Sequence, residues 1–209
     1  MKQQGEISAF FIGVVRHRMW RDGKGVTTLA AFHGCSLHCQ YCLNPACLDN
    51  GKEFSCYTPR QLYDKISIDN LYFLATGGGV CFGGGEPLLH ADFIYKFREI
   101  CVEDWKITIE TALNVPIENL KTATAVSDAF IVDIKDCNDT IYRSYTGKSN
   151  KLPLSNLEWL LHTVGAERVM VRVPLIPNFN TEEDRHYSVE QLQSMGVKQM
   201  DLFTYRVKM

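Results

Sequence analysis

Apolar and polar positions along the chain alternate between two kinds of segment. Short apolar runs bounded by glycine, proline or polar clusters predict buried strands over residues 26–33, 80–82, 106–111, 129–134, 168–175 and 198–205. Between them, apolar residues recur every three to four positions, which predicts helices over 59–74, 91–102, 117–125, 154–164 and 181–195. Two helix starts carry their own chemistry: Thr58 is a candidate N-cap ahead of Pro59, and Thr181-Glu182-Glu183-Asp184 reads as a capping box. Six strands, each but the last followed by helical sequence, predict an α/β fold with parallel strands and helices outside. Right-handed crossovers curl such a sheet in one direction, and six units are fewer than the eight of a closed barrel. The expected architecture is a partial (β/α)6 barrel forming one domain over 1–209; an open doubly wound sheet has the same pattern.

Composition narrows the class. The 209 residues are 45% hydrophobic and 22% charged, enough for a packed core. A net charge of −2 gives no basic field, so no nucleic-acid partner is expected. No stretch approaches the ~20 apolar residues of a membrane span. The start, Met1 to Glu6, is polar and unlike a secretory signal, so a cytoplasmic monomer is expected.

Eight cysteines in a reducing compartment read as ligands rather than disulfides where they cluster. Cys35, Cys39 and Cys42 fall within eight residues, in the segment Gly34-Cys35-Ser36-Leu37-His38-Cys39-Gln40-Tyr41-Cys42; Cys47, Cys56, Cys81, Cys101 and Cys137 are scattered. Cys81 and Cys101 sit in apolar surroundings and read as buried free thiols. The spacing C-x3-C-x2-C, without a fourth nearby cysteine, suits an iron–sulfur cube with one iron left open, as catalytic zinc keeps one position open. A zinc site completed by His33 or His38 is the alternative, although zinc ligands usually come as two short pairs. Other unusual residues fall at the carboxyl ends of strands, where ligands sit in parallel α/β folds: Gly83-Gly84-Gly85-Glu86, Glu110-Thr111, Asp133-Ile134-Lys135, Arg172 and Arg206. The six glycines between Thr76 and Glu86 allow close backbone approach to a ligand.

The cysteine triplet, with Tyr41 before its third member, resembles the signature of radical S-adenosylmethionine (SAM) enzymes. The resemblance implies one [4Fe–4S] cluster whose open iron is chelated by the amino and carboxylate groups of SAM, and one-electron cleavage of SAM to methionine and a 5′-deoxyadenosyl radical. Gly84-Gly85-Glu86, about forty residues on, resembles the family's GGE motif. The fuller string from Thr76 to Pro87 is similar to that of activating enzymes of glycyl-radical enzymes. So are Phe32-His33-Gly34-Cys35, Cys42-Leu43-Asn44-Pro45, Asp133-Ile134-Lys135, Arg172 with Pro177, and Asp201 to Arg206. The likeness runs from about residue 10 to 206.

Position by position, the resemblance implies that Cys35, Cys39 and Cys42 ligate iron. Tyr41 and Leu43 hold the adenine side, and Gly84, Gly85 and Glu86 meet the ammonium. Lys135 meets the carboxylate, while Asp133, Arg172 and Arg206 lie along the rest of SAM. Glu110, Thr111 and Asp133 would bind a monovalent cation. The implied partner is a glycyl-radical enzyme whose glycine Cα yields a hydrogen atom, with flavodoxin or ferredoxin as electron donor. The loop 20–25, in particular Asp22, Gly23, Lys24 and Gly25, is a candidate partner contact. The chain departs from its relatives at Arg206 (usually histidine), Glu110 (usually aspartate) and Lys24 (usually proline). It also shows no second set of closely spaced cysteines, so no ferredoxin-like insert is expected. A radical SAM enzyme acting on another peptide or a small molecule, and a non-enzymatic metal module, are the competing readings.

Overall fold

The computed structural model describes residues 7–19, 21–51 and 54–205. Its centre is one eight-stranded sheet in the order β3-β1-β2-β4-β5-β6-β7-β8. Six strands are parallel neighbours: β2 (Val26–Phe32), β4 (Gly79–Gly84), β5 (Lys106–Thr111), β6 (Ala129–Asp133), β7 (Val169–Leu175) and β8 (Gln199–Thr204). These are the six strands expected from the apolar runs, and they curve into a partial barrel with helices outside. Alternation along each strand separates two faces. Val80, Phe82, Ile107, Ile109, Phe130, Val132, Val169 and Val171 belong to the large core under the helices, while Leu29, Ala31 and Cys81 form a separate small cluster on the other face.

Two further strands were not expected. β1 (Ala9–Met19) pairs antiparallel with β2, and β3 (Ser55–Tyr57) pairs antiparallel with β1 at the sheet edge. β1 is half-exposed and its pairing with β2 is broken by two irregularities, at Phe11/Gly13 and Val15/Arg18. Its first part, Ala9–Val15, is an apolar run like those of the inner strands, and only the polar second half, Arg16–Arg18, departs from that pattern.

The helices are α1 (Pro59–Ile66), α2 (Asn70–Thr76), α3 (Ala91–Ile100), α4 (Ile117–Thr124), α5 (Asp139–Thr146), α6 (Lys151–Val164) and α7 (Glu182–Ser194). Thr58 caps α1 reciprocally with Gln61, and Thr181 does the same for α7 with Asp184. The helix expected over 59–74 is interrupted at Ser67–Asp69 by a 3₁₀ turn. The cause is tertiary. Asp69 is fully buried and accepts hydrogen bonds from Arg16, the ring of His17 and Thr28, so the chain bends to bring that carboxylate to β1 and β2. α5 was missed, although Asn138 at its N-cap and Gly147 in the left-handed conformation at its end mark both limits.

Candidate active site

At the carboxyl end of β2 the chain leaves the sheet at Gly34 and wraps back as the cysteine loop. Backbone hydrogen bonds hold the loop on two sides. Gly34 N–H donates to the Cys47 carbonyl (2.8 Å), while His38 and Gln40 N–H donate to Thr146 and Tyr145 carbonyls at the end of α5 (3.1 Å each). The segment after β4 docks directly on it: Gly85 N–H bonds to Phe32 O (2.9 Å) and Glu86 N–H to Gly34 O (2.8 Å). Side chains cannot intrude there. A Cβ at Gly85 would lie 2.0 Å from the Gly34 carbonyl oxygen, and Gly84 has φ +90° with a Cβ position 2.7 Å from that of Ala31. Asn44 completes the clasp, its Nδ2 donating to Gly84 O (3.2 Å).

The result is one open-mouthed cavity. Cys35, Cys39, Cys42 and Leu43 line one side; Gly84, Gly85, Glu86, Glu110, Thr111, Asp133, Lys135 and Tyr205 are also on its wall. Most of the sequence-predicted residues therefore converge from four strand ends, whereas Tyr41 and Arg172 are not on the wall. Leu43 stands at the rim, 71% exposed. Tyr41 packs edge-on against Phe179 and Tyr145, and its hydroxyl accepts from Asn178 Nδ2 (3.2 Å).

The thiols differ in character. Burial pushes Cys39 up to about 11, in an apolar cluster with Tyr145, Ile176 and Tyr205. Cys42 is held down near 6, first by a hydrogen bond with Cys47, and Cys35 is lowered by the same neighbour. Among the described residues, no three histidine, cysteine or acidic side chains lie close enough for a single metal ion. A four-iron cube instead takes each thiolate on a separate corner. His33, one of the two candidate fourth zinc ligands, has Nε2 at 3.1 Å from the Asp49 carbonyl and its ring against Phe54, and His38 is exposed.

Glu86 is fully buried. Its carboxylate accepts from the Thr111 hydroxyl (2.6 Å), Leu88 N–H (3.2 Å) and Ala112 N–H (3.0 Å). Burial nevertheless outweighs these bonds and raises it to about 7. The sign follows: the unfolded carboxyl ionises near its ordinary value of 4.5, the folded one only near 7, so folding is favoured below 4.5 and that contribution is lost as pH rises to 7. The loss is about 3 kcal/mol. Glu86→Gln is expected to flatten the pH dependence of stability over this range, read by urea denaturation of the metal-free protein at pH 5 and pH 8.

Lys135 is 6% exposed; its ammonium donates to Asp133 Oδ2 and to the Tyr205 hydroxyl, both at 3.1 Å. Asp133 Oδ1 is buried and has no hydrogen-bond partner among the described residues. That orphan acceptor, the three cavity-facing thiols and the backbone cradle at Gly84–Gly85 fit a bound polar cofactor beside a cluster.

The groups expected to share a monovalent cation are engaged elsewhere. Glu110 accepts from Arg172 Nη1 (2.6 Å), and Thr111 donates to Glu86. Arg172 Nε also lies 3.5 Å from Asp201, and its Nη2 donates to the Arg21 carbonyl (2.8 Å). The 22–25 loop is thus folded in. Asp22 is 1% exposed and paired with Arg18, Gly25 is buried, and Lys24 is exposed. Trp20 and Arg206 lie outside the described residues. Tyr205, Asn44 and Cys47 were not singled out from sequence, although Asn44 lies inside the C-x-N string and Tyr205 inside the Asp201–Arg206 string.

Comparison with known proteins then decides the family. A profile described as "Radical SAM superfamily" matches residues 30–189. The chain belongs to the radical SAM superfamily. Members use a [4Fe–4S] cluster and SAM. Within the superfamily, this radical SAM protein groups with activating enzymes. It is 30% identical to the pyruvate formate-lyase-activating enzyme of Clostridium pasteurianum over 78% of this chain and 67% of that one. It is 31% identical to the enzyme of the same name from Listeria monocytogenes (88% and 77%) and 28% identical to the (2S)-3-sulfopropanediol sulfolyase activating enzyme of Bilophila wadsworthia (78% and 74%). Streptococcus suis SuiB bound to S-adenosylmethionine shares the fold, with TM-score 0.65 at 14% identity over 84% of this chain and 39% of that one. No helix among the described residues is long and apolar enough to cross a membrane.

Proposed function

We propose that the protein is a single-cluster activase that installs a glycyl radical on a partner enzyme. The observation that supports this most is the convergence, in one cavity, of three cysteine thiols with the Gly84–Glu86 cradle and the Lys135–Asp133 pair. Cys35, Cys39 and Cys42 would hold a [4Fe–4S] cluster. The main chain at Gly84 and Gly85 and the Glu86 carboxylate would receive the SAM ammonium, whose charge favours ionised Glu86. Lys135 offers its ammonium to the SAM carboxylate, and Asp133 Oδ1 supplies an acceptor to the ribose side. Leu43, at the rim, would flank the adenine. Held by these residues, a [4Fe–4S] cluster would supply the one electron for reductive cleavage of SAM, the chemistry that removes a hydrogen atom from the partner glycine. The protein's own part is to align ligands and exclude water. Lys24 is the exposed point of the partner-contact loop, and flavodoxin or ferredoxin would deliver the electron.

The test is anaerobic reconstitution with iron and sulfide, reduction, addition of SAM and then of glycyl-radical enzymes encoded beside the gene. A glycine-centred doublet in electron paramagnetic resonance is expected. Its absence with every such partner, while SAM is still cleaved, would turn the reading toward another peptide or small-molecule substrate.

The Arg172–Glu110 ion pair supplies the positive charge that a free cation would otherwise bring between Glu110 and Asp133. SAM binding is therefore expected to stay unchanged when choline replaces sodium and potassium at constant ionic strength, as measured by equilibrium dialysis. A potassium-dependent affinity would show that the pair opens to admit an ion.

A further inference from the structure

Tyr205 directly follows β8 and shares the cavity wall with Lys135 and Asp133. Its main-chain N–H bonds to the Leu175 carbonyl (2.9 Å). Its ring packs against Phe203 and Tyr145, with centroids 5.3 and 6.2 Å away, and the residue is 7% exposed. The phenol is therefore held in place by its own chain and its aromatic neighbours.

A phenol has one hydrogen to give and an ammonium has three. The Tyr205 oxygen accepts from Lys135 Nζ (3.1 Å), and its own hydrogen has no acceptor among the described residues; the neighbouring Tyr145 hydroxyl is without a partner there too. Lys135 gives one hydrogen to Asp133 Oδ2 and one to Tyr205, which leaves it a third. Two uncommitted donors, one neutral and one charged, thus stand 3.1 Å apart on the wall. A buried donor is stable only with an acceptor, and a carboxylate takes two neighbouring donors at once through its paired oxygens. A phosphate would bring further negative charge toward Glu86, Glu110 and Asp133 on the same wall.

We propose that Tyr205 is the second arm of a carboxylate clamp, its hydroxyl donating to one oxygen of the SAM carboxylate while the Lys135 ammonium donates to the other. The proposal rests on the SAM-site reading above. The test is equilibrium dialysis of SAM and of decarboxylated SAM against the reconstituted wild type, Tyr205→Phe, Lys135→Met and the double variant. Tyr205→Phe keeps the ring and its packing and removes only the hydroxyl. It is expected to bind SAM about tenfold more weakly, the loss of one hydrogen bond to a charged group. Its affinity for decarboxylated SAM should equal that of wild type. In the Lys135→Met background the same change should weaken SAM binding severalfold again, because the phenol donates in its own right. Equal SAM affinity in wild type and Tyr205→Phe overturns the proposal. So does a parallel loss for both ligands, which would mean that the residue only shapes the pocket. So does the lack of any further loss in the Lys135→Met background, which would make the phenol a support for the ammonium alone. A wild type that binds no SAM would instead bring down the SAM-site reading itself, and this inference with it.

Discussion

Cys39→Ala is expected to give a folded protein that retains no [4Fe–4S] cluster and forms no 5′-deoxyadenosine above background. Cys39 packs with Tyr145, Ile176 and Tyr205, and burial raises its thiol to about 11, so it gives up its proton least readily of the three. Only the charge of bound iron would draw the thiolate out, and ligation thus overcomes a desolvation cost that alanine does not bear. No spare ligand compensates: Cys47 does not line the cavity. The fold should survive because the loop is held through main-chain bonds to Cys47, Thr146 and Tyr145 that do not involve the Cys39 side chain. Iron content, visible absorbance and chromatographic assay of 5′-deoxyadenosine check the three parts separately. Four irons per chain in Cys39→Ala would exclude this cysteine from the ligand set. Cys81→Ala is the control. That thiol is fully buried in the small cluster with Leu29 and Ala31, does not line the cavity, and its removal should leave iron content unchanged.

The parts legible in sequence were those written locally. The inner parallel strands β2, β4 and β6 are mostly buried and appear as apolar runs, and the cysteine, glycine and Asp133-Ile134-Lys135 strings each occupy a single loop or strand end. What sequence did not show was which distant group each of these meets. Glu110 and Arg172 are 62 residues apart, and Lys135 and Tyr205 are 70 apart. Only the curvature of the sheet brings them within hydrogen-bond distance, so the partner that Glu110 meets, Arg172, was not legible locally. β1 was overlooked although Ala9–Val15 is an apolar run. The break between α1 and α2 comes from the pull of Asp69 toward Arg16 and Thr28, a tertiary contact that overrode a local pattern.

Lys135→Met should weaken both folding and SAM binding, and a second substitution should separate the two. The ammonium of Lys135 is the only hydrogen-bond donor to Asp133 Oδ2 among the described residues, and Asp133 Oδ1 has no donor there at all. Burial disfavours the lysine charge, but Asp133, Tyr205 and Cys39 outweigh it and hold the ammonium well above its ordinary value. A lysine raised in this way contributes stability in full below pH 10.5 and loses it only above. The deficit of the variant should therefore be the same at pH 6 and pH 9. Removing one partner leaves the other carboxylate uncompensated, at about 3 kcal/mol, the lower end for a broken buried pair, because Asp133 keeps some exposure. Replacing both partners with apolar residues, as in Asp133→Leu/Lys135→Met, removes the stranded charge and should restore most of the stability. SAM affinity should not return in the double variant. The cofactor's carboxylate would still lack its cation, a loss of about a hundredfold or roughly 3 kcal/mol. Urea midpoints of the metal-free proteins report the first effect, and calorimetric titration of the reconstituted proteins with SAM reports the second. If Lys135→Met binds SAM as wild type does, the ammonium serves the fold alone, and the carboxylate must be held from elsewhere on the cavity wall.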